Sequence, residues 1–377
     1  MRLREVTAHR VWTGIESTIA WLTMSRTVHV NGKWLAQKLT GTQRYANEIT
    51  KSIVSSGCVD LVLHVPANAE VPDWTLQSHV RVRRAPVRGI IFEQLYLPFA
   101  SAGSLLLNFA GPAPLMKRRQ LVSMHDATPF RFPRTYRWVF VAFYFAMYFL
   151  LSRTALQLVT VSRFSAQDLG EILRIPPSRF IVAGCAADSL VGVDPTEPAL
   201  GVTGDQYLVV GTMAQHKNLV APVTAVAESG RKVVVVGASG NDKVFTESSS
   251  LDRHAVIAGR LSDAELVWLY RNSRALIFPS KYEGFGLPPL EAQTFGCPVV
   301  SSDAASLPEV CGDGALYFDP DAPETLVAQL DRLEENSDLA DQIRHRGMVN
   351  AKRFSWSASA GRIVDWLRSV EQTSEFV

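Results

Sequence analysis

Residues 277–303, IFPSKYEGFGLPPLEAQTFGCPVVSSD, restrict the fold more than any other stretch of this chain. Ile277 and Phe278 close an apolar run of the kind that forms a buried strand. A polar loop with glycines follows, from Lys281 to Gly286. Pro288 and Pro289 stand where a helix would begin, a position that tolerates proline because the missing N–H would be unpaired there. The helix continues through Leu290, Glu291, Ala292 and Gln293 and stops at Gly296, a left-handed cap. A second buried strand runs from Pro298 to Ser301. Strand, glycine loop and helix start together make an anion site, because free amides leave the first turn and the helix dipole favours negative charge. Gly284 and Gly286 let the backbone come close to a ligand. Two carboxylates flank that site, Glu283 and Glu291. A carboxylate cannot share a seat with phosphate unless it points elsewhere, so both are expected to bind hydroxyl groups. A ligand with phosphates in the middle and hydroxyl-rich ends, a nucleotide sugar, satisfies all of this.

The same alternation runs through the chain, and 377 residues exceed one typical core. Strands are expected at 28–30, 60–65, 80–84 (nearer an edge), 105–108, 121–124 and 156–161. A second set lies at 207–210, 232–236, 256–258, 298–301 and 315–318. Helices are expected from Gln43 onward, over 89–100, from Ser162 or Ser165 through Leu173, and after Ser262, where Glu265 completes a capping box. Further helices fall at 324–334, 339–353 and 356–370. The class is α/β, with two doubly wound parallel sheets. The expected division is a loosely ordered extension over 1–23, without the pattern of a signal peptide. A first domain follows over 24–190, a linker over 191–205, a nucleotide-binding domain over 206–355 and a terminal helix over 356–377.

Charge separates the halves. Residues 1–190 hold 22 basic against 11 acidic side chains, and the remainder 16 against 25. The basic half could meet anionic lipid or a lipid-linked phosphate, or could simply be a solvated face. Arg81, Arg83, Arg84 and Arg88 form one cluster, and Lys117, Arg118 and Arg119 another. Nucleic acid is a poor fit, since the second half is acidic and no binding module is present. Residues 138–151, WVFVAFYFAMYFLL, are too short to span a bilayer, which needs about 20 residues. A buried helix is the default reading. A membrane-surface helix is the alternative, with dense aromatics and Arg134, Arg137 and Arg153 at its flanks. Cys58, Cys185, Cys297 and Cys311 have no metal-type spacing and read as scattered thiols of a cytosolic protein.

Glu283 and Glu291 around GFGLPP, followed by GCPVVSSD and LPEV, resemble the signature of the family-four retaining glycosyltransferases. The resemblance covers roughly 28–370 and implies the GT-B fold, with two Rossmann-like domains facing across a cleft. It implies that Glu283 holds the sugar ring hydroxyls and Glu291 the ribose. Backbone amides of Gly284, Phe285, Gly286 and Leu287 would bind the donor. The segment TGTQRYANEI resembles the glycine loop near the donor phosphates, which marks Gly41 and Thr42. His125, delivered with Asp126 by the strand at 121–124, matches the histidine that faces the transferred sugar. Lys217 matches one of a basic pair on the diphosphate. Thr212 and His216 stand where the family often has arginine. The loop at Gly259 and Arg260 would hold the nucleobase.

The implied reaction moves a hexose or deoxyhexose, mannose or rhamnose being mildly favoured, from a nucleotide diphosphate sugar to a glycan or polyprenyl-diphosphate-linked glycan. Lys217 and the amides would stabilise the leaving diphosphate, with Glu283 and His125 on the sugar. No protein nucleophile is implied. No His/Cys cluster or paired-aspartate motif is present, so no metal or other cofactor is expected. Cytoplasmic residence is expected from the scattered thiols, and a polyprenyl-linked acceptor would explain a basic first domain at the inner face of the cell membrane. An epimerase of the same fold and a non-catalytic membrane-surface protein are the competing readings.

Overall fold

The computed structural model describes residues 26–38, 40–202, 204–237 and 253–374. The extension expected over 1–23 lies outside the described residues. Thirteen strands are found among them. They are β1 Arg26–Asn31, β2 Val59–Pro66, β3 Val80–Ala85, β4 Leu106–Asn108, β5 Gln120–Ser123, β6 Gln157–Thr160 and β7 Phe180–Val182. After these come β8 Tyr207–Val210, β9 Val233–Val236, β10 Val256–Gly259, β11 Leu276–Phe278, β12 Val299–Ser302 and β13 Ala315–Phe318. They form a seven-stranded sheet, order β3-β2-β1-β4-β5-β6-β7, and a six-stranded sheet, order β10-β9-β8-β11-β12-β13. The registered pairings are parallel, for example Leu276 with Val299, Ile277 with Val300 and Phe278 with Ser301. Both sheets are of the Rossmann-like type.

By contacts the chain divides into two compact units, one reaching to Leu121 and one from Val122 onward. In the first, helix α1 (Gly41–Ser55) buries Tyr45, Ala46, Ile49, Ile53 and Val54, the positions that its spacing sets on one face. Gly41 and Thr42 were expected to precede this helix; they are its first two residues, after Thr40 at the N-cap. Edge strand β3 buries only its ends, Val80 and Ala85, so Arg81, Arg83 and Arg84 lie exposed. Lys117 leaves the expected basic cluster. It is buried and donates to the carbonyl of Ser101.

In the second unit the six-stranded sheet is covered on both faces. Val233 and Val235 of β9 join one core with Tyr207, Val209, Ile277 and Val300. Val234 and Val236 join the other with Leu208, Leu276, Phe278 and Val299. A strand buried on both sides must be apolar throughout, which is why VVVV and YLVV carry no alternation.

Helix α2 (Trp138–Thr154) corrects the buried-helix expectation. It buries only Met147, Leu151 and Ser152. Trp138 is 79% exposed, and Val139, Phe140, Phe143, Phe145, Phe149 and Leu150 are exposed with it. Apolar residues on every side of a helix cannot all be covered by one supporting surface. No helix among the described residues is long and apolar enough to cross a membrane.

Helix α3 (Arg163–Leu173) starts at Ser162, whose side chain accepts from the Ser165 amide. Helix α4 (Asp263–Asn272) carries the complete capping box between Ser262 and Glu265. Three more helices bear on the site: α5 (Leu287–Thr294), α6 (Leu307–Cys311) and α7 (Trp356–Ser374). Helix α7 packs against β7, with Ser359 Oγ donating to the Gly184 carbonyl at 2.7 Å.

Candidate active site

In parallel sheets, ligands gather beyond the carboxyl ends of the strands. Three such ends meet in the second unit. The loop after β5 carries His125 and Asp126, the loop after β8 carries Thr212, His216 and Lys217, and the loop after β11 carries Glu283 to Gly286.

Lys217 Nζ lies 2.7 Å from Glu283 Oε1, with both side chains largely buried. An ammonium has three protons and this contact uses one. Gly284 follows, packed against the β5 loop. A Cβ added there would lie 2.8 Å from Asp126 Cβ and 3.1 Å from the His125 carbonyl, so only glycine permits this approach. Gly286 has φ of 99°, and an added Cβ would meet Leu307 at 2.6 Å. Gly286 is the N-cap of α5, and Pro288 and Pro289 stand in its first turn. The helix start expected from the spacing is therefore present. Glu291, one turn further on, is buried and accepts from the Tyr270 hydroxyl at 2.8 Å.

The remaining residues are placed less uniformly. His216 is buried, its ring 5.7 Å from that of Phe132, with Nδ1 lacking a hydrogen-bond partner. Burial, followed by the Lys217 charge, lowers its pKa, so the imidazole is neutral at pH 7. It lines the cluster as an uncharged group, not as a substitute for arginine. Thr212 is exposed on the same loop. Gly259 and Arg260 lie at the end of edge strand β10, three strands from β11. At about 4.8 Å per strand that is roughly 14 Å, the span of an extended ligand and not of a single phosphate. Gly41 and Thr42 belong to the first unit and are described there.

Residues that were not singled out join the cluster. The Asp126 carboxylate faces Gly284 and accepts from the Thr128 amide at 2.8 Å. Tyr282 accepts from the Ala127 amide at 3.1 Å and donates to Asp168 Oδ2 at 2.5 Å. Burial and these carboxylates push the Tyr282 pKa up, which keeps it a hydrogen-bond donor. Asp168 is held in turn by Arg131. Tyr282 carries only the signal of sitting beside Glu283. Asp168 and Arg131 carry none, because their partners are distant in sequence.

Two parallel Rossmann-like sheets, with their loops at the carboxyl ends of the strands, are the GT-B type of fold. Residues 196–349 match the family described as group 1 glycosyl transferases. O-antigen chain mannosyltransferase B of Escherichia coli is 26% identical over 359 residues, covering 84% of this chain and 93% of that protein. Among solved structures, sucrose-phosphate synthase from Thermosynechococcus elongatus superposes with a TM-score of 0.71. It is 14% identical and covers 92% of this chain and 100% of that one. HepE of Anabaena, solved in complex with UDP and glucose, gives 0.69 at 15% identity, again covering 92% and 100%. These two structures share the fold with this chain.

Proposed function

We propose that this enzyme transfers a hexose, with mannose favoured, from a nucleotide diphosphate sugar to a glycan acceptor, with retention at the anomeric carbon. The carrying observation is the Lys217–Glu283 pair at 2.7 Å beside the glycine loop that opens α5. In this reading the diphosphate takes the two remaining Lys217 protons and the amides before Pro288. Glu283 holds the sugar hydroxyls and Glu291 the ribose. The bond from C1 to the diphosphate oxygen breaks while the acceptor oxygen bonds C1 on the same face. The acceptor proton passes to the departing phosphate oxygen. Charge builds on that phosphate, and fixed amides and an ammonium stabilise it without reorganising. The mannosyltransferase names of relatives such as O-antigen chain mannosyltransferase B support the choice of sugar and of a surface-polysaccharide acceptor. No metal is assigned a role.

The acceptor in this proposal is carried on a polyprenyl diphosphate, and the enzyme works at the inner face of the cell membrane. The exposed face of α2 supports contact with anionic lipid, since apolar patches of this kind mark interaction sites. Exposed Arg134 and Arg137 lie at its N-terminal end, placed for anionic headgroups. The test of the function is a donor screen with GDP-mannose, UDP-glucose and dTDP-rhamnose, with and without EDTA. We expect one donor to release its nucleoside diphosphate, to give a product of retained configuration by NMR, and to survive EDTA. Release from none of them, or loss in EDTA restored by magnesium, would contradict the proposal.

A further inference from the structure

Three successive carbonyls of the glycine loop are each held by a serine hydroxyl. Ser306 Oγ lies 2.9 Å from the Glu283 carbonyl and 2.9 Å from the Phe285 carbonyl, sharing its one proton between them. The carbonyl between these two, that of Gly284, accepts from Ser162 Oγ at 2.6 Å and from Ser165 Oγ at 3.0 Å. All three serines are buried. They come from two places, the start of α3 and the turn before α6, and these two places are themselves tied. The Glu309 carboxylate accepts from the amides of Arg163 and Phe164, each at 3.0 Å. Helix α6, which follows Ser306 directly, thus braces the helix start that carries Ser162 and Ser165.

A trans peptide points its C=O and the next N–H in opposite directions. Fixing the carbonyls of 283, 284 and 285 therefore fixes the amides of Gly284, Phe285 and Gly286. A glycine loop left to itself samples many orientations. Among the described residues, none of these three amides donates to a backbone carbonyl. The three residues are buried, and buried N–H groups are almost always paired, so these amides are available to a ligand.

We propose that Ser306, Ser162 and Ser165 are positioning residues that aim the amides of Gly284, Phe285 and Gly286 at the sugar and diphosphate of the donor. This rests on the donor site proposed above. Ser306 makes no capping bond at α6. Ser165 is not the cap of α3, a role that Ser162 holds. Either hydroxyl can therefore be removed without uncapping a helix.

The test measures kcat and KM for the nucleotide sugar that the wild-type enzyme turns over, the Kd of the matching nucleoside diphosphate, and Tm, in Ser306→Ala, Ser165→Ala and Ser165→Thr. Loss of one aimed donor costs catalysis about 10²–10³-fold in well-defined sites. Blurring the aim costs less. We expect kcat to fall about tenfold in each alanine variant, with the nucleoside diphosphate Kd within about threefold of wild type and recovery in Ser165→Thr. Should Ser306→Ala not fold, the Ser165 pair decides. Wild-type kcat in the alanine variants overturns the inference and leaves the donor site standing. So does a fall in kcat matched by equal weakening of nucleoside diphosphate binding and a lowered Tm. No turnover in the wild-type enzyme itself overturns the donor site and the inference with it.

Discussion

Replacing Lys217 with alanine removes an ammonium that sits 2.7 Å from Glu283 Oε1 and keeps two protons for the diphosphate. Two effects separate. The first is on stability: a largely buried carboxylate loses its partner. Lys217 retains 22% of its side-chain exposure, so water screens part of the pair. The loss is about 1–2 kcal/mol, at the low end for a charged hydrogen bond. For a unit of this size that lowers Tm by roughly 2–8 °C. The second effect is on the reaction. A charge-assisted hydrogen bond to the leaving phosphate contributes about 1.5–3 kcal/mol, and its removal slows the reaction about 10- to 150-fold. Because charge on that phosphate grows as the bond breaks, the loss falls mainly on kcat. Lys217→Arg keeps the charge in a different geometry and should recover part of it. Steady-state assays of released nucleoside diphosphate, with calorimetry on the same samples, measure both effects. A Lys217→Ala enzyme with reduced Tm and kcat within twofold of wild type would refute the reasoning and leave the pair purely structural.

Further outcomes follow from other parts of the molecule. Glu291→Ala should weaken binding of the nucleoside diphosphate by about tenfold or more by titration calorimetry, and equal affinity would remove Glu291 from the ribose. Arg134→Gln with Arg137→Gln should weaken binding to phosphatidylglycerol vesicles about thirtyfold at low salt, at about 1 kcal/mol per basic residue. Wild-type protein that ignores both anionic and neutral vesicles in flotation would contradict the surface role of α2. In the first unit, His29 Nδ1 and His64 Nε2 lie 2.9 Å apart and buried. Burial and nearby cations lower their pKa values from 6.5 to about 4 and about 3. The unfolded chain binds protons there first, so stability is complete above about pH 6.5 and falls as pH drops toward 4. His64→Gln should flatten that limb of the Tm profile, and an unchanged slope would contradict it.

Local chemistry was legible and distant chemistry was not. The loop, helix start and cap over 281–296 depend on glycine and proline preferences of neighbouring residues, and they read directly. The capping box at Ser262 and Glu265 is also local. The exposure of α2 was illegible, because fourteen apolar residues look alike whether a sheet covers them or not. The contact of Ser162 with Gly284 spans 122 residues of sequence, and no spacing rule reaches that far. Ser162 could be read only as a helix cap, which it is, and its second partner appears only in the fold. Lys117 was illegible for the same reason. A run of three basic residues suggests a solvated face, yet one of them turns inward to a carbonyl.

The most direct measurement of the central claim is amide hydrogen exchange across residues 281–287 with and without a saturating nucleotide sugar. Pro288 and Pro289 have no amides, so the signal there comes from the loop itself. A donor seated on those amides slows their exchange, and Glu291→Ala lowers the protection at the same donor concentration. Protection confined to other segments, with 281–287 unchanged at saturation, would contradict the account.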